Sequence, residues 1–216
     1  MSLKQQINKG ELEGLATAIK KRPFLVNEVI KWGPLLKNKS HPLHYLCDRV
    51  FNQKLDSKLA GEMAILLIDH GANINGYGFE EMKDTPLVAA ASLRSDEVAI
   101  VLIDTGADIH HRGCMGGTAL HWAAWCGRDR VVERLLKEEI DIDRRCISNK
   151  STAFFWAAHG RANGGEEKDN RNQLLCARML KDAGADISIP NAENMTAAEL
   201  LKEDTAFLAI INDHDI

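Results

Sequence analysis

Threonines at positions 85, 118 and 152 open three stretches of one shared pattern, and they stand 33 and 34 residues apart. A fixed period of this size implies short supersecondary units laid side by side, since none can bury an apolar face alone. Thr85–His110 reads TPLVAAASLRSDEVAIVLIDTGADIH, and Gly116–Asp143 reads GGTALHWAAWCGRDRVVERLLKEEIDID.

Each unit resolves into two helices. A threonine side chain caps a helix by accepting an otherwise unpaired backbone N–H of the first turn. Pro86 suits the first helical position, where its missing N–H costs nothing. Leu120 with Ala123 and Ala124 sets one apolar anchor and two small residues on a single face, so a neighbouring helix can approach closely. Gly127 reads as the left-handed residue that ends this helix. Val131, Val132, Leu135 and Leu136 then form the apolar stripe of a second helix. In the preceding unit the second helix ends at Gly106, and Ala107-Asp108-Ile109-His110 leads into a hairpin-like loop.

These residues make the chain resemble the ankyrin-repeat family. The capping slot holds Thr85, Thr118, Thr152 and Thr196, with His41-Pro42-Leu43-His44 in the same place. The Gly-Ala-Asp/Asn element recurs at Gly71-Ala72-Asn73, Gly106-Ala107-Asp108 and Gly184-Ala185-Asp186. Glu139-Ile140-Asp141 lacks the glycine, which predicts a distorted helix end there. The resemblance implies an all-α ankyrin-repeat solenoid of helix–turn–helix units with hairpin-like loops. It also implies that His44 and His121 make structural hydrogen bonds between units.

As one domain over 1–216, the chain divides into N-terminal capping helices (1–37), four central repeats (38–190) and a C-terminal capping repeat (191–216). Leu12, Leu15, Ala18 and Ile19 supply helical spacing in the first cap, read as the latter part of a degenerate repeat. Two units run long. Between His41 and Thr85 the excess centres on 51–58, where the first helix is expected to extend. After Thr152 it is Gly160–Asn172, GRANGGEEKDNRN, whose composition predicts a solvated loop.

No apolar run reaches the roughly 18 residues of a membrane span, and no basic-then-apolar leader opens the sequence. Five cysteines scattered through different units fit reduced thiols in a cytoplasmic setting. The Asn-x-Ser/Thr sites at Asn38, Asn149 and Asn194 are accordingly read as turn residues. A net charge of −4 gives no general attraction to nucleic acid. Residues 1–40 nevertheless carry eight Lys/Arg against three Glu. That polarity either steers a charged partner or reflects two solvated caps of different composition.

Catalytic and metal chemistry find little support. His110, His111, Cys114, His121 and Cys126 lie close in sequence but lack the paired spacing of a zinc site, and His121 already has its repeat role. Cys126 and His159 fall one unit apart without a positioned third group. No phosphate-binding glycine loop or hydrolase motif occurs. Neither a cofactor nor an enzymatic activity is expected.

What remains is binding. In the resembled family the concave surface comprises hairpin tips and one face of the first helices, and by repeat position Trp125 and Cys126 lie on it. Ser92 and Leu93 are their counterparts one unit earlier, His159 and Gly160 one unit later. Trp122 and Trp156 occupy slots of core leucines and are read as packing. Trp125 is read as a partner anchor, with local packing as the alternative. The tips add Glu81, Met82 and Asp84, then Arg112, Cys114 and Met115, then Arg145, Ser148 and Asn149, turning from acidic to basic. The expectation is a monomeric scaffold for a protein or peptide, with no membrane or nucleic-acid partner. An inhibitor or immunity-type protein that blocks an enzyme is the alternative.

Overall fold

The computed structural model describes residues 2–77, 83–163 and 172–212. These fall into two compact units, one of residues up to 77 with 84–108, the other of residue 83 with 109–212.

The first unit holds three helical hairpins: α1 (Leu3–Lys9) with α2 (Leu12–Lys21), α3 (Pro42–Phe51) with α4 (Ser57–Asp69), and α5 (Pro86–Ser92) with α6 (Asp96–Asp104). Helix α3 packs on α1 and α5, and α4 on α2 and α6. The N-terminal segment is thus a complete helical pair where the sequence reading expected only the latter part of a repeat. It is followed by a feature absent from that reading, a two-stranded antiparallel hairpin of β1 (Ile30–Trp32) and β2 (Asn38–Ser40).

The second unit repeats the scheme with α7 (Ala119–Trp125) and α8 (Asp129–Leu135), α9 (Ala153–Asn163) and α10 (Gln173–Asp182), and α11 (Ala197–Leu200) and α12 (Thr205–Asn212). Helix α9 packs on α7 and α11, and α10 on α8 and α12. Small residues permit the close spacing: Ala123, Ala124, Ala157 and Ala158 are fully buried.

Caps form at Thr85, Thr152 and Thr196, which accept from the backbone N–H of Val88, Phe155 and Glu199, and at His41, whose ring accepts from Leu43; the Thr118 hydroxyl meets the His121 ring at 2.9 Å. Gly71, Gly106 and Gly184 all take positive φ, where a side chain would be strained. After each, the alanine amide reaches back to a helix carbonyl, as in Ala107 N–H to Leu102 O at 2.9 Å. Helix α8, lacking that glycine, stops at Leu135 in a turn.

Neighbouring loops are tied by short polar side chains. The Oδ1 atoms of Asn27, Asn75 and Asp143 accept the backbone N–H of Asn73, Asp108 and Asp186 at 2.7, 3.0 and 2.9 Å. His44 Nε2 meets the Asp84 carbonyl at 2.8 Å, the structural role its position implied.

Both long units differ in detail from expectation. The excess after His41 does include a 52–56 connection between the helices, but the first helix does not extend through it: α3 ends at Phe51, and α4 from Ser57 to Asp69 is the longer helix. Helix α9 continues through Gly160 to Asn163, into the segment read as loop. Arg161 explains this: it forms an ion pair with Asp204, 43 positions away. Residues 164–171 of that insertion lie outside the described residues.

Candidate partner-binding site

Helix α7 has seven residues, so the side chains of Trp122 and Trp125 share a face three positions apart. Trp156 of α9 enters between them and is 2% exposed, with its ring 5.1 Å from Trp122 and 5.6 Å from Trp125, both edge-on. Such geometry suits the aromatic quadrupole. Trp156 is core, as its slot implied. Trp122 packs on both rings as its slot implied, while remaining half-buried.

Trp125 is half-buried too. Its indole lies 4.5 Å from the His159 ring, tilted by 51°. Burial holds the His159 pKa below its ordinary value, so the imidazole is neutral near pH 7. The Trp125 backbone is fixed from behind. Its carbonyl accepts from Gln173 Nε2 at 3.2 Å, and Gly160 passes it closely enough that a Cβ would lie 2.9 Å from the carbonyl carbon. The ring is thus braced by its neighbours, and the residue keeps partial exposure to solvent.

The loops before α7 and α9 adjoin this cluster through Trp156, whose ring closes on Gly117 and, at 5.3 Å, on His121. His121 Nδ1 accepts from the Thr118 N–H at 3.2 Å, and burial with nearby Arg144 and Arg112 keeps its pKa down at about 4. Cys114 and Met115 are exposed at the loop tip, Met115 with φ 59° and 39% of its surface accessible. The Ser148 N–H donates to the Met115 carbonyl at 3.1 Å, joining the two tips.

The predicted arginines are committed to backbone. Arg112 donates to the carbonyl of Arg145 at 3.2 Å. Arg145 donates to the carbonyls of Lys150 and, at 2.7 Å, Pro190. Asn149 accepts from the Cys146 thiol, and its carbonyl accepts from Ala192. Burial opposes ionisation of Cys146, but hydrogen bonds from the backbone of Asn149 and Ser151 and the side chains of Trp156 and Ser148 together lower its pKa. At 1% exposure that thiol is closed to substrates. Cys126 is half-buried at the end of α7. Among the described residues, no group of three His, Cys, Asp or Glu is placed to hold a metal.

Asp84 and Ser92 belong to the first unit, both half-buried; Glu81 and Met82 lie outside the described residues. Asp84 lines a cavity of about 350 Å³ with Trp32, Ser40, His44, Asp48 and Leu93. Asp48, which the sequence did not single out, has its pKa pushed up to about 6 by burial, against the pull of the Ser40 hydroxyl.

Comparison with known proteins agrees with this architecture. Residues 83–146 match the family model described as ankyrin repeats in three copies. Over 99% of its length the chain is similar to 98% of a crystal structure, that of EF0377, an ankyrin repeat protein, with 23% identity and a TM-score of 0.74. That likeness concerns the fold. No curated protein matches the sequence. No described helix is long and apolar enough to cross a membrane. Ankyrin repeats generally serve as non-catalytic protein-interaction modules. Ankyrin repeats are thus matched at 83–146, and the fold of a solved ankyrin repeat protein is shared along the chain.

Proposed function

We propose that the second unit binds a protein or peptide partner without catalysis, through Trp125 and the neighbouring loop tips. The observation that supports this most is the state of Trp125. It is braced by Trp156 and His159, yet only half-buried. A large side chain already held in place loses little entropy when a partner covers it, which is the condition for a binding anchor. Met115 adds an adaptable apolar contact at the tip, and Cys126 and His159 frame the indole. Arg112, Arg145 and Asn149 shape the loops that flank it.

Parallel affinity capture with wild-type protein and Trp125→Ala tests the reading. A partner retained by wild type should, once purified, bind the variant with a loss of about 2 kcal/mol or more. Equal affinity for a variant of unchanged fold removes Trp125 as anchor. An activity assay on the captured protein shows whether docking also inhibits it.

A further inference from the structure

The hairpin of β1 and β2 has a structure its own chain does not account for. Its turn exposes Leu35 by 86% and Leu36 by 55%, among the largest exposures of apolar side chains in the described residues. Both leucines have φ 54°, a left-handed conformation unfavourable to them. Solvation and backbone preference thus both oppose this arrangement.

Charge follows the same pattern. The strand register places Lys31 directly opposite Lys39, so two like charges leave one face with Cβ atoms roughly 5 Å apart. Lys37 stands beside the leucines, and Lys4 Nζ joins the strand at the Lys31 carbonyl, 2.6 Å away. No carboxylate among the described residues pairs with Lys31, Lys37 or Lys39. The opposite face is held to the unit: Ile30 is 4% exposed, Trp32 Nε1 donates to Ser40 Oγ at 2.7 Å, and its ring lies 6.1 Å from Tyr45. The hairpin is braced on one side and presents lysines and leucines on the other.

The structure points to a docking surface for an acidic peptide segment carrying apolar side chains, its carboxylates on the three lysines and its apolar groups on Leu35 and Leu36. Charge favours a peptide over an anionic membrane. The chain totals −4 and residues 1–40 carry +5, which leaves −9 elsewhere. A membrane would repel that remainder, whereas a short peptide meets the hairpin alone. The inference is independent of Trp125.

A fluorescein-labelled peptide of alternating Glu and Leu serves as probe, with a Lys-Leu peptide and phosphatidylserine-containing vesicles as comparators. The Glu-Leu peptide should bind in preference to both. Affinity should fall at least about tenfold in Leu35→Asn/Leu36→Asn and in Lys31→Ala/Lys39→Ala, and stay unchanged in Trp125→Ala. Asparagine tolerates the left-handed turn, so the first variant keeps its fold, as circular dichroism would verify. Absence of peptide binding, equal binding of both peptides, preference for vesicles, or undiminished affinity in the variants overturns the proposal.

Discussion

Gly160 of α9 lies against the Trp125 carbonyl so closely that any Cβ there would fall 2.9 Å from the carbonyl carbon and 3.0 Å from Trp125 Cα. The obstacle is backbone, which cannot swing aside. Alanine ordinarily favours a helix over glycine by about 1 kcal/mol. Here overpacking costs about 1–3 kcal/mol and should win. Gly160→Ala is therefore expected to lower stability in chemical denaturation. A raised denaturation midpoint would show that α7 and α9 are not in this contact.

Acid should weaken the fold between about pH 6.5 and 4. Burial lowers the pKa of His41 to about 4, with His44 as a smaller cause, and that of His121 to about 4. The unfolded chain takes up these protons near pH 6.5, while the native state refuses them until about pH 4. Stability is thus complete above the unfolded pKa and falls through this window by about 1.4 kcal/mol per pH unit for each histidine. Burial also depresses His44 and His159, with the same sign. Asp48 acts oppositely: raised to about 6, it binds a proton in the native state first. Urea midpoints should drop between pH 7 and 5, and more steeply in Asp48→Asn. Equal slopes in variant and parent would remove Asp48 from this balance.

Local chemistry made the repeats legible. Thr85, Thr118, Thr152 and Thr196 mark helix starts because a cap needs only one hydroxyl and the next turn. Gly71, Gly106 and Gly184 mark helix ends because the left-handed turn penalises other residues. The place of Trp125 at the end of α7 followed from repeat position. The extension of α9 did not, since Arg161 meets a partner 43 positions away and its surroundings, GRANGGEE, read as loop. Strands of three residues, Ile30–Trp32 and Asn38–Ser40, carry too little alternation to register as a hairpin. Nor does sequence show that Arg112 and Arg145 spend their donors on carbonyls, because that depends on where two loops lie.

Asp204 has two roles at the start of α12. It pairs with Arg161, and its Oδ1 accepts the Phe207 N–H at 3.0 Å. Asp204→Ala loses both cap and ion pair, and should cost about 1–2 kcal/mol, the range of a lost helix cap. Arg161→Ala loses only the pair and should cost less. In a double-mutant cycle the double variant should cost less than the sum of the two single variants. Equal costs for the single variants would mean the cap contributes nothing.

Arg145 clasps two loops. Its guanidinium bridges the Lys150 and Pro190 carbonyls, and its own carbonyl accepts from Arg112. Charged hydrogen bonds contribute about 1.5–3 kcal/mol when buried, but Arg145 is exposed and water competes for each carbonyl. A loss near 1 kcal/mol is therefore expected for Arg145→Ala. Lysine should not rescue it, because one ammonium on a flexible stem lacks the rigid fork that reaches two carbonyls. Hydrogen exchange should quicken in the 145–150 and 190–192 segments of both variants, while α7 keeps its protection. Full rescue by lysine, or unchanged exchange in both segments, would show that Arg145 is a free surface cation available to a partner instead of a clasp between loops.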